Sequence, residues 1–480
     1  MAADDNPVLA STRRQFFSRC GLSIGQIALA QMLSEGRLLA AAEKPRQSMD
    51  PRSPHFPAKV KNVIYLFMAG GPSQLDLFDY KPKLQQFNGQ PIPPSLVEGK
   101  RFAFMDAFGK EPMKVLGSPR EFKQYGQNGR WISNLMPHIS SVVDDVAFVS
   151  GISTDNFNHG PAKCFVNTGS TRFGRPSMGS WVTYGIGSES HDLPGFVVLQ
   201  SGPRGPRGGA GLWSSGFMPT AYQGVPFRSG GDPIVDLSSP DGITARTQKN
   251  AVDAIRDLNQ ARLAEVGDPE ISTRIGAYEM AYRMQTSGPE LIDFNRESKE
   301  TREMYGVAPG ENSFANNCLL ARRLVERGVR FVQLYHTDWD HHDDLGKPLE
   351  KVTEEVDRPT AALIKDLKQR GLLENTLVIW GGEFGRTPMG EVRVSGKVGR
   401  NHHIDAYTMF MAGGGIRKGI SVGGTDDFGY TPTERIHVHD IQASILHLLG
   451  LDHTKLTFRF QGRDFRLTDV AGQLIPGLLA

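Results

Sequence analysis

The sequence predicts an α/β fold: a doubly wound, mostly parallel sheet with helices on both faces. Three observations point there. Short apolar runs recur along the chain without the polar alternation of a half-exposed sheet. Stretches with apolar residues three and four apart lie between those runs. The 54 glycines and 30 prolines supply the turns that such alternation needs.

The chain opens with Ser11-Thr12-Arg13-Arg14-Gln15-Phe16-Phe17, a weakly apolar stretch from Cys20 to Leu33, and Ala40-Ala41-Ala42. Basic region, apolar region and small-residue cleavage site are the parts of a bacterial export signal. The Arg13-Arg14 pair reads as its twin-arginine version, addressed to machinery that carries folded proteins. The bland alternative is a retained basic amphipathic helix. The expectation is a signal over residues 1–42, a Pro-rich linker over 43–58 and a single domain over 59–480, located in the periplasm or outside the cell.

Strands are predicted at Asn62–Met68, Val146–Val149, Phe196–Leu199, Arg330–Tyr335, Thr376–Trp380 and Thr408–Met411. Helical spacing marks Ile132–Val143, Ala251–Val266, Ser313–Arg327, Thr353–Arg370 and Asp440–Leu449. Residues 201–245 are rich in Gly, Pro and Ser, and 246–312 read as helices. Together, about 201–312 read as a loop-and-helix insertion on the same domain.

Composition excludes several classes. A net charge of +2 calls for neither nucleic acid nor an anionic membrane as partner. The longest apolar run lies in the signal and is interrupted by Ser, Gly and Gln, so the mature chain has no membrane span. Cys20 leaves with the signal. Cys164 and Cys318 do not make a disulfide framework, and the amphipathic setting of Cys318 reads as a buried thiol.

Ligands of open α/β sheets bind beyond the carboxyl ends of the strands, so polar clusters that follow a strand are the candidates. After Phe331–Tyr335 comes His336-Thr337-Asp338-Trp339-Asp340-His341-His342-Asp343-Asp344, a dense set of imidazole and oxygen donors. It suits a divalent metal, Zn²⁺ or Mn²⁺ first and Ca²⁺ as an alternative; the bland reading is a solvated polar loop. After Thr376–Trp380 comes Gly381-Gly382-Glu383-Phe384-Gly385-Arg386, where Glu383 is a candidate ligand or base and Arg386 a candidate fork for an anionic oxygen, or the two are a surface pair. His402-His403 precedes the strand at Thr408, and one of the two rings is expected as a ligand. His159, before Gly160-Pro161, stands at a helix start, either beside an anion or in a capped turn. Asp76 or Asp79 either reaches a metal or caps a turn. Asp440 reads as a helix cap.

Several of these segments resemble one bacterial family. They are Gly70-Gly71-Pro72-Ser73-Gln74-Leu75-Asp76-Leu77-Phe78-Asp79, Trp339-Asp340-His341-His342, Gly382-Glu383-Phe384-Gly385-Arg386-Thr387-Pro388, Ala412-Gly413-Gly414-Gly415 and His439-Asp440-Ile441-Gln442-Ala443. The chain is similar over its whole mature length to the domain-of-unknown-function family 1501, which is grouped with the alkaline phosphatase-like superfamily of phosphatases and sulfatases. The resemblance implies metal ligation by Asp340 and His342 (or Asp338), with His402 or His403 as the last ligand and Asp76 substituting for an aspartate of the first strand. The chain departs from the superfamily pattern at Glu383-Phe384, where an Asp-His pair is expected, and at Met68-Ala69-Gly70. Those departures put a second metal site in doubt.

The function expected from this is a metal-dependent hydrolase of phosphate or sulfate esters, acting on a small-molecule or polysaccharide ester. In it Glu383, Arg386 and His159 do chemistry, and Asp340, His342, His402, His403, Asp76 and Asp338 are the candidate ligands. The alternative is a non-catalytic descendant that binds a glycan or a protein and keeps at most one metal.

Overall fold

The computed structural model describes residues 49–94, 98, 113–228, 234 and 242–480. The export signal read over 1–42 lies outside the described residues. Of the segment read as a linker, residues 49–58 are described, and they run along the body rather than away from it. Ser188 N donates to Met49 O, Arg52 N to Ile186 O and Phe56 N to Gly450 O.

Nine strands make one sheet. The first, β1 (Asn62–Met68), is flanked by parallel β5 (Phe331–His336) and β6 (Thr376–Gly381). Beyond β5 lie β3 (Phe196–Ser201) and β4 (Val225–Phe227), both parallel. Beyond β6 lies β9 (Tyr407–Ala412), the one reversed strand of the sheet. It pairs antiparallel with both β6 and β2 (Val146–Ser153). Short β10 (Ile420–Val422) and β11 (Ile436–His437) add to β2 in parallel.

Every residue of β1 is buried, which explains its unbroken apolar run. Ile64, Leu66 and Met68 face one core cluster, with α6 (Phe314–Glu326) and α7 (Lys347–Gln369) packed over them. Val63, Tyr65 and Phe67 face a second cluster under α1 (His159–Thr168), α2 (Met178–Ile186) and α8 (Val438–Leu448). The fold is therefore α/β, with a mainly parallel sheet covered on both faces.

The insertion carries α3 (Ala245–Val266), α4 (Pro269–Ile292) and α5 (Lys299–Tyr305), while β4 inside it joins the sheet edge. Cys164 and Cys318 are buried free thiols. Among the described residues no helix is long and apolar enough to cross a membrane.

One local expectation fails. Ile132–Val143 is not a helix. Pro137 interrupts it, Arg130–Ser133 pairs with Phe122–Tyr125, and only a 3₁₀ turn follows over Ile139–Asp145. The Asp357 carboxylate accepts from the backbone N–H of His138 and Ile139, both at 2.7 Å, and so starts that turn. The apolar spacing reflects burial of Ile132, Met136, Ile139, Val142 and Val143 in the core, not helical geometry.

A feature that the sequence reading did not include positions the site: residues 385–403 form a two-stranded antiparallel ribbon of β7 (Gly385–Glu391) and β8 (Gly399–His403). In its register His402 lies opposite Arg386 and His403 opposite Gly385.

Candidate metal centre

The carboxyl ends of β1, β2, β5 and β6 meet the ribbon, and four side chains converge there. His159 is the first residue of α1, whose start is capped by the Asn158 side chain accepting from Gly160 N. Asp340 and His342 stand in the loop after β5. That loop is pinned by Trp339, which is fully buried, packs edge-on against Trp380 at 5.9 Å and donates its indole N–H to His336 Nδ1 at 3.0 Å. Burying such a ring removes roughly 150–250 Å² from water, an upper bound of about 4–6 kcal/mol. Gly70 permits the close approach: a Cβ there would lie 2.7 Å from Asp340 N, and its φ is +131°. His402 comes from β8.

Ligand atoms of His159, Asp340, His342 and His402 all lie within 4.8 Å of one another. His159 Nε2 is 3.0 Å from Asp340 Oδ2, and His342 Nε2 is 3.0 Å from Asp340 Oδ1. His402 Nε2 is 3.3 Å from Asp340 Oδ1 and 2.8 Å from His342 Nε2.

The opposite nitrogen of each ring is held. His159 Nδ1 meets Glu383 Oε1 at 2.7 Å, His342 Nδ1 meets Glu391 Oε2 at 2.6 Å, and His402 Nδ1 meets the Phe157 carbonyl at 2.6 Å. Each acceptor fixes the proton on Nδ1 and leaves the Nε2 lone pair pointing inward. Three inward lone pairs and a carboxylate repel one another unless a cation lies between them. A tetrahedral zinc site with bonds of about 2.0–2.1 Å has ligand atoms about 3.3 Å apart, close to the 3.0–3.3 Å between Asp340 and the three imidazoles. The donor set thus fits a divalent ion of the Zn²⁺ or Mn²⁺ type.

The electrostatics agree. Burial pushes His402 down to about 3, so it stays neutral and able to ligate. Burial raises Asp340, but the three imidazoles and Arg386 outweigh it and keep the carboxylate ionised. Glu383 is fully buried, yet the Lys163 charge, the His159 bond and the Gly70 N–H hold it down to about 2.

The other candidates fall outside the cluster. Glu383 is not a converging donor but stands behind His159, where Gly70 N also donates to it at 3.1 Å. Arg386 is no open fork. Its Nε donates to Gly71 O at 2.8 Å, Nη1 to Arg400 O at 3.0 Å, and Nη2 to Gly70 O and, at 2.7 Å, to Asp340 Oδ1. It clamps the ligand loop to β1 and the ribbon. Asp76 is not a ligand: it is buried against Arg400, at 2.8 and 3.2 Å, and accepts from Ser73. His403 points away to Tyr430 O at 2.7 Å and stacks on that ring, because adjacent residues of a strand face opposite sides. Asp338, at φ +75°, pairs with Arg204 at 2.7 Å on the rim.

Sequence reading missed Glu391 and Lys163. Lys163 is four residues after His159 on α1, which puts both on one helix face, so the spacing was there to be used. Glu391 becomes a partner of His342 only through the ribbon. A cavity of about 30 Å³ opens beside the cluster, lined by His159 and Asp340 together with Lys163, Arg204 and Arg207.

No curated protein matches the chain. Similar solved structures include the lipoteichoic acid synthase LtaP from Listeria monocytogenes, at 10% identity, covering 84% of this chain and 76% of that one, with TM-score 0.32. A sulfatase from Pseudoalteromonas sp. has 13% identity, 89% and 71% coverage and TM-score 0.34. A phosphonate monoester hydrolase from Silicibacter pomeroyi has 11% identity, 81% and 73% coverage and TM-score 0.33. At these scores none of the three bears on the chemistry of this chain. Residues 60–479 match the family described as "Protein of unknown function (DUF1501)", and the chain belongs to that family.

Proposed function

We propose that the chain is an exported, metal-dependent hydrolase of phosphate or sulfate esters with an alkaline phosphatase-like site. One observation supports this above others: His159, His342 and His402 aim Nε2 at Asp340 while Glu383, Glu391 and the Phe157 carbonyl hold each Nδ1. Those four residues would hold the ion. When bound, a divalent ion neutralises ester oxygens and lowers the pKa of water.

The chain's own residues do the rest. Glu383 and Glu391 fix ring tautomers and strengthen the imidazoles as donors. Arg386 orients Asp340, places Nη1 3.5 Å from His342 Nε2, and spends its other donors on backbone carbonyls. In this reading water attacks the phosphorus or sulfur and the alcohol leaves. His159 and Asp340 face a cavity, which gives an ester access. Arg13-Arg14 and the segment after it support export by the twin-arginine route, with residues 1–42 as the signal and the mature chain in the periplasm or outside the cell.

The test is metal analysis of the mature protein together with turnover of p-nitrophenyl phosphate and p-nitrophenyl sulfate. One tightly held ion and turnover of either ester, both lost in His342→Ala, are expected. A metal-free wild type, or turnover untouched by His342→Ala, ends the proposal. A second reading has its own support, because four protein donors close a tetrahedral shell, as structural zinc sites do. In that reading the protein binds a glycan or a protein and its ion is structural. Retained metal with no turnover of any ester favours it.

A further inference from the structure

We propose that Lys163, Arg204 and Arg207 form an oxyanion subsite beside the donor cluster, built for the doubly charged head of a phosphate monoester in preference to a singly charged sulfate ester. The proposal rests on the hydrolase reading for its metal and its chemistry, but the subsite consists of the chain's own cations.

Lys163 is 3% exposed. Its ammonium meets one carboxylate, Glu383, at 3.4 Å, and makes no hydrogen bond among the described residues. An ammonium has three donors, and one carboxylate at 3.4 Å leaves donors for an anion in the neighbouring cavity. Lys163 lines the cavity together with His159 and Asp340.

The other two cations enter from a different element. Gly202-Pro203-Arg204-Gly205-Pro206-Arg207 follows β3 directly, and two prolines stiffen the turn. Thr337 Oγ1 donates to Arg204 O at 3.0 Å, which ties the turn to the ligand loop. Arg204 spends part of its guanidinium on Asp338 at 2.7 Å. Arg207 is exposed and reaches the same cavity.

Charge then decides between head groups. With a divalent ion held by the four donors, Lys163, Arg204, Arg207, Arg386 and the ion would face the carboxylates of Asp340, Asp338 and Glu383, an excess of three positive charges. A phosphate monoester carries close to two negative charges near neutral pH, and a sulfate ester carries one. Coulomb energy scales with the product of charges, so the dianion is favoured. The cavity of about 30 Å³ admits little more than the head group, leaving the alcohol part toward solvent.

The test is calorimetric binding of phenylphosphonate and benzenesulfonate, a dianion and a monoanion that are not hydrolysed, to the mature protein as purified, at about pH 8.5. Phenylphosphonate is expected to bind at least about tenfold more tightly. Lys163→Gln and Arg207→Gln are each expected to weaken it about ten- to a hundredfold and to narrow the gap, with metal content unchanged in Arg207→Gln. Arg207→Gln alters an exposed side chain, so it reports even where Lys163→Gln fails to fold. Equal affinity for the two probes, or phosphonate binding indifferent to Arg207→Gln, overturns the subsite while leaving the metal reading intact. A metal-free protein that still binds phosphonate through Lys163 supports the subsite and removes the hydrolase reading.

Discussion

Glu391→Gln tests whether the imidazoles are held for a metal. The Glu391 carboxylate is buried and accepts from His342 Nδ1 at 2.6 Å and from Arg393 Nε at 2.7 Å. Glutamine keeps the shape and still offers a carbonyl oxygen, so the ring stays in place. What is lost is the negative charge that makes the imidazole a stronger donor. Loss of such a carboxylate costs about ten- to a hundredfold in metal affinity, or about 1.4–2.8 kcal/mol. At a free metal concentration a thousand times the wild-type Kd, the ion stabilises the fold by about 4.1 kcal/mol; a tenfold weaker site keeps about 2.7 kcal/mol. Two assays read this: competition against a chromogenic chelator, and denaturant unfolding with and without added ion. The reasoning is refuted if Glu391→Gln holds the ion within about twofold of wild type while His342→Ala loses it. In that case the His342–Glu391 contact would only support packing.

Four further outcomes are expected. His402→Ala abolishes tight metal binding, whereas His403→Ala and Asp338→Asn leave metal content unchanged; elemental analysis of the three purified variants separates them. Gly70→Ala drives a Cβ into the backbone at Trp339 and Asp340 in a conformation that L residues rarely adopt, so it costs about 1–3 kcal/mol in denaturant unfolding and weakens the metal site. Asp76→Asn strips the buried Arg400 of its carboxylate and costs about 3–5 kcal/mol by the same measurement. Burial raises the Asp76 carboxyl, but Arg400 and Ser73 outweigh it, so its folded pKa lies below the unfolded one. Its stabilisation is therefore full above the unfolded value of about 3.9 and fades as pH falls through the folded one. Asp76→Asn should lose that part of the acid dependence in an unfolding series from about pH 6 to 2.

The sheet was legible because both faces of β1 are covered, so its residues read as one apolar run. The helices α6, α7 and α8 announced themselves by spacing, with ends shifted by a few residues. The ribbon was not legible. Its strands carry Gly, Arg, Thr and His rather than alternating apolar residues, because they cross the mouth of a polar site instead of covering a core. That one omission left the His402–His403 choice open and hid Glu391. Arg386 read as an outward fork because its five donors are used by groups from three separate segments, around residues 70, 340 and 400. Asp76 read as a possible ligand because its partner Arg400 is 324 residues away in the chain.

The converging donors come from three stretches of chain, around residues 159, 340 and 402. No one stretch can grip an ion with more than two of them. Capture must therefore wait until those stretches, the ribbon among them, have been brought side by side. An occupied centre is in that sense a certificate that assembly is complete, and removing the ion should loosen the ribbon before it disturbs the strands beneath.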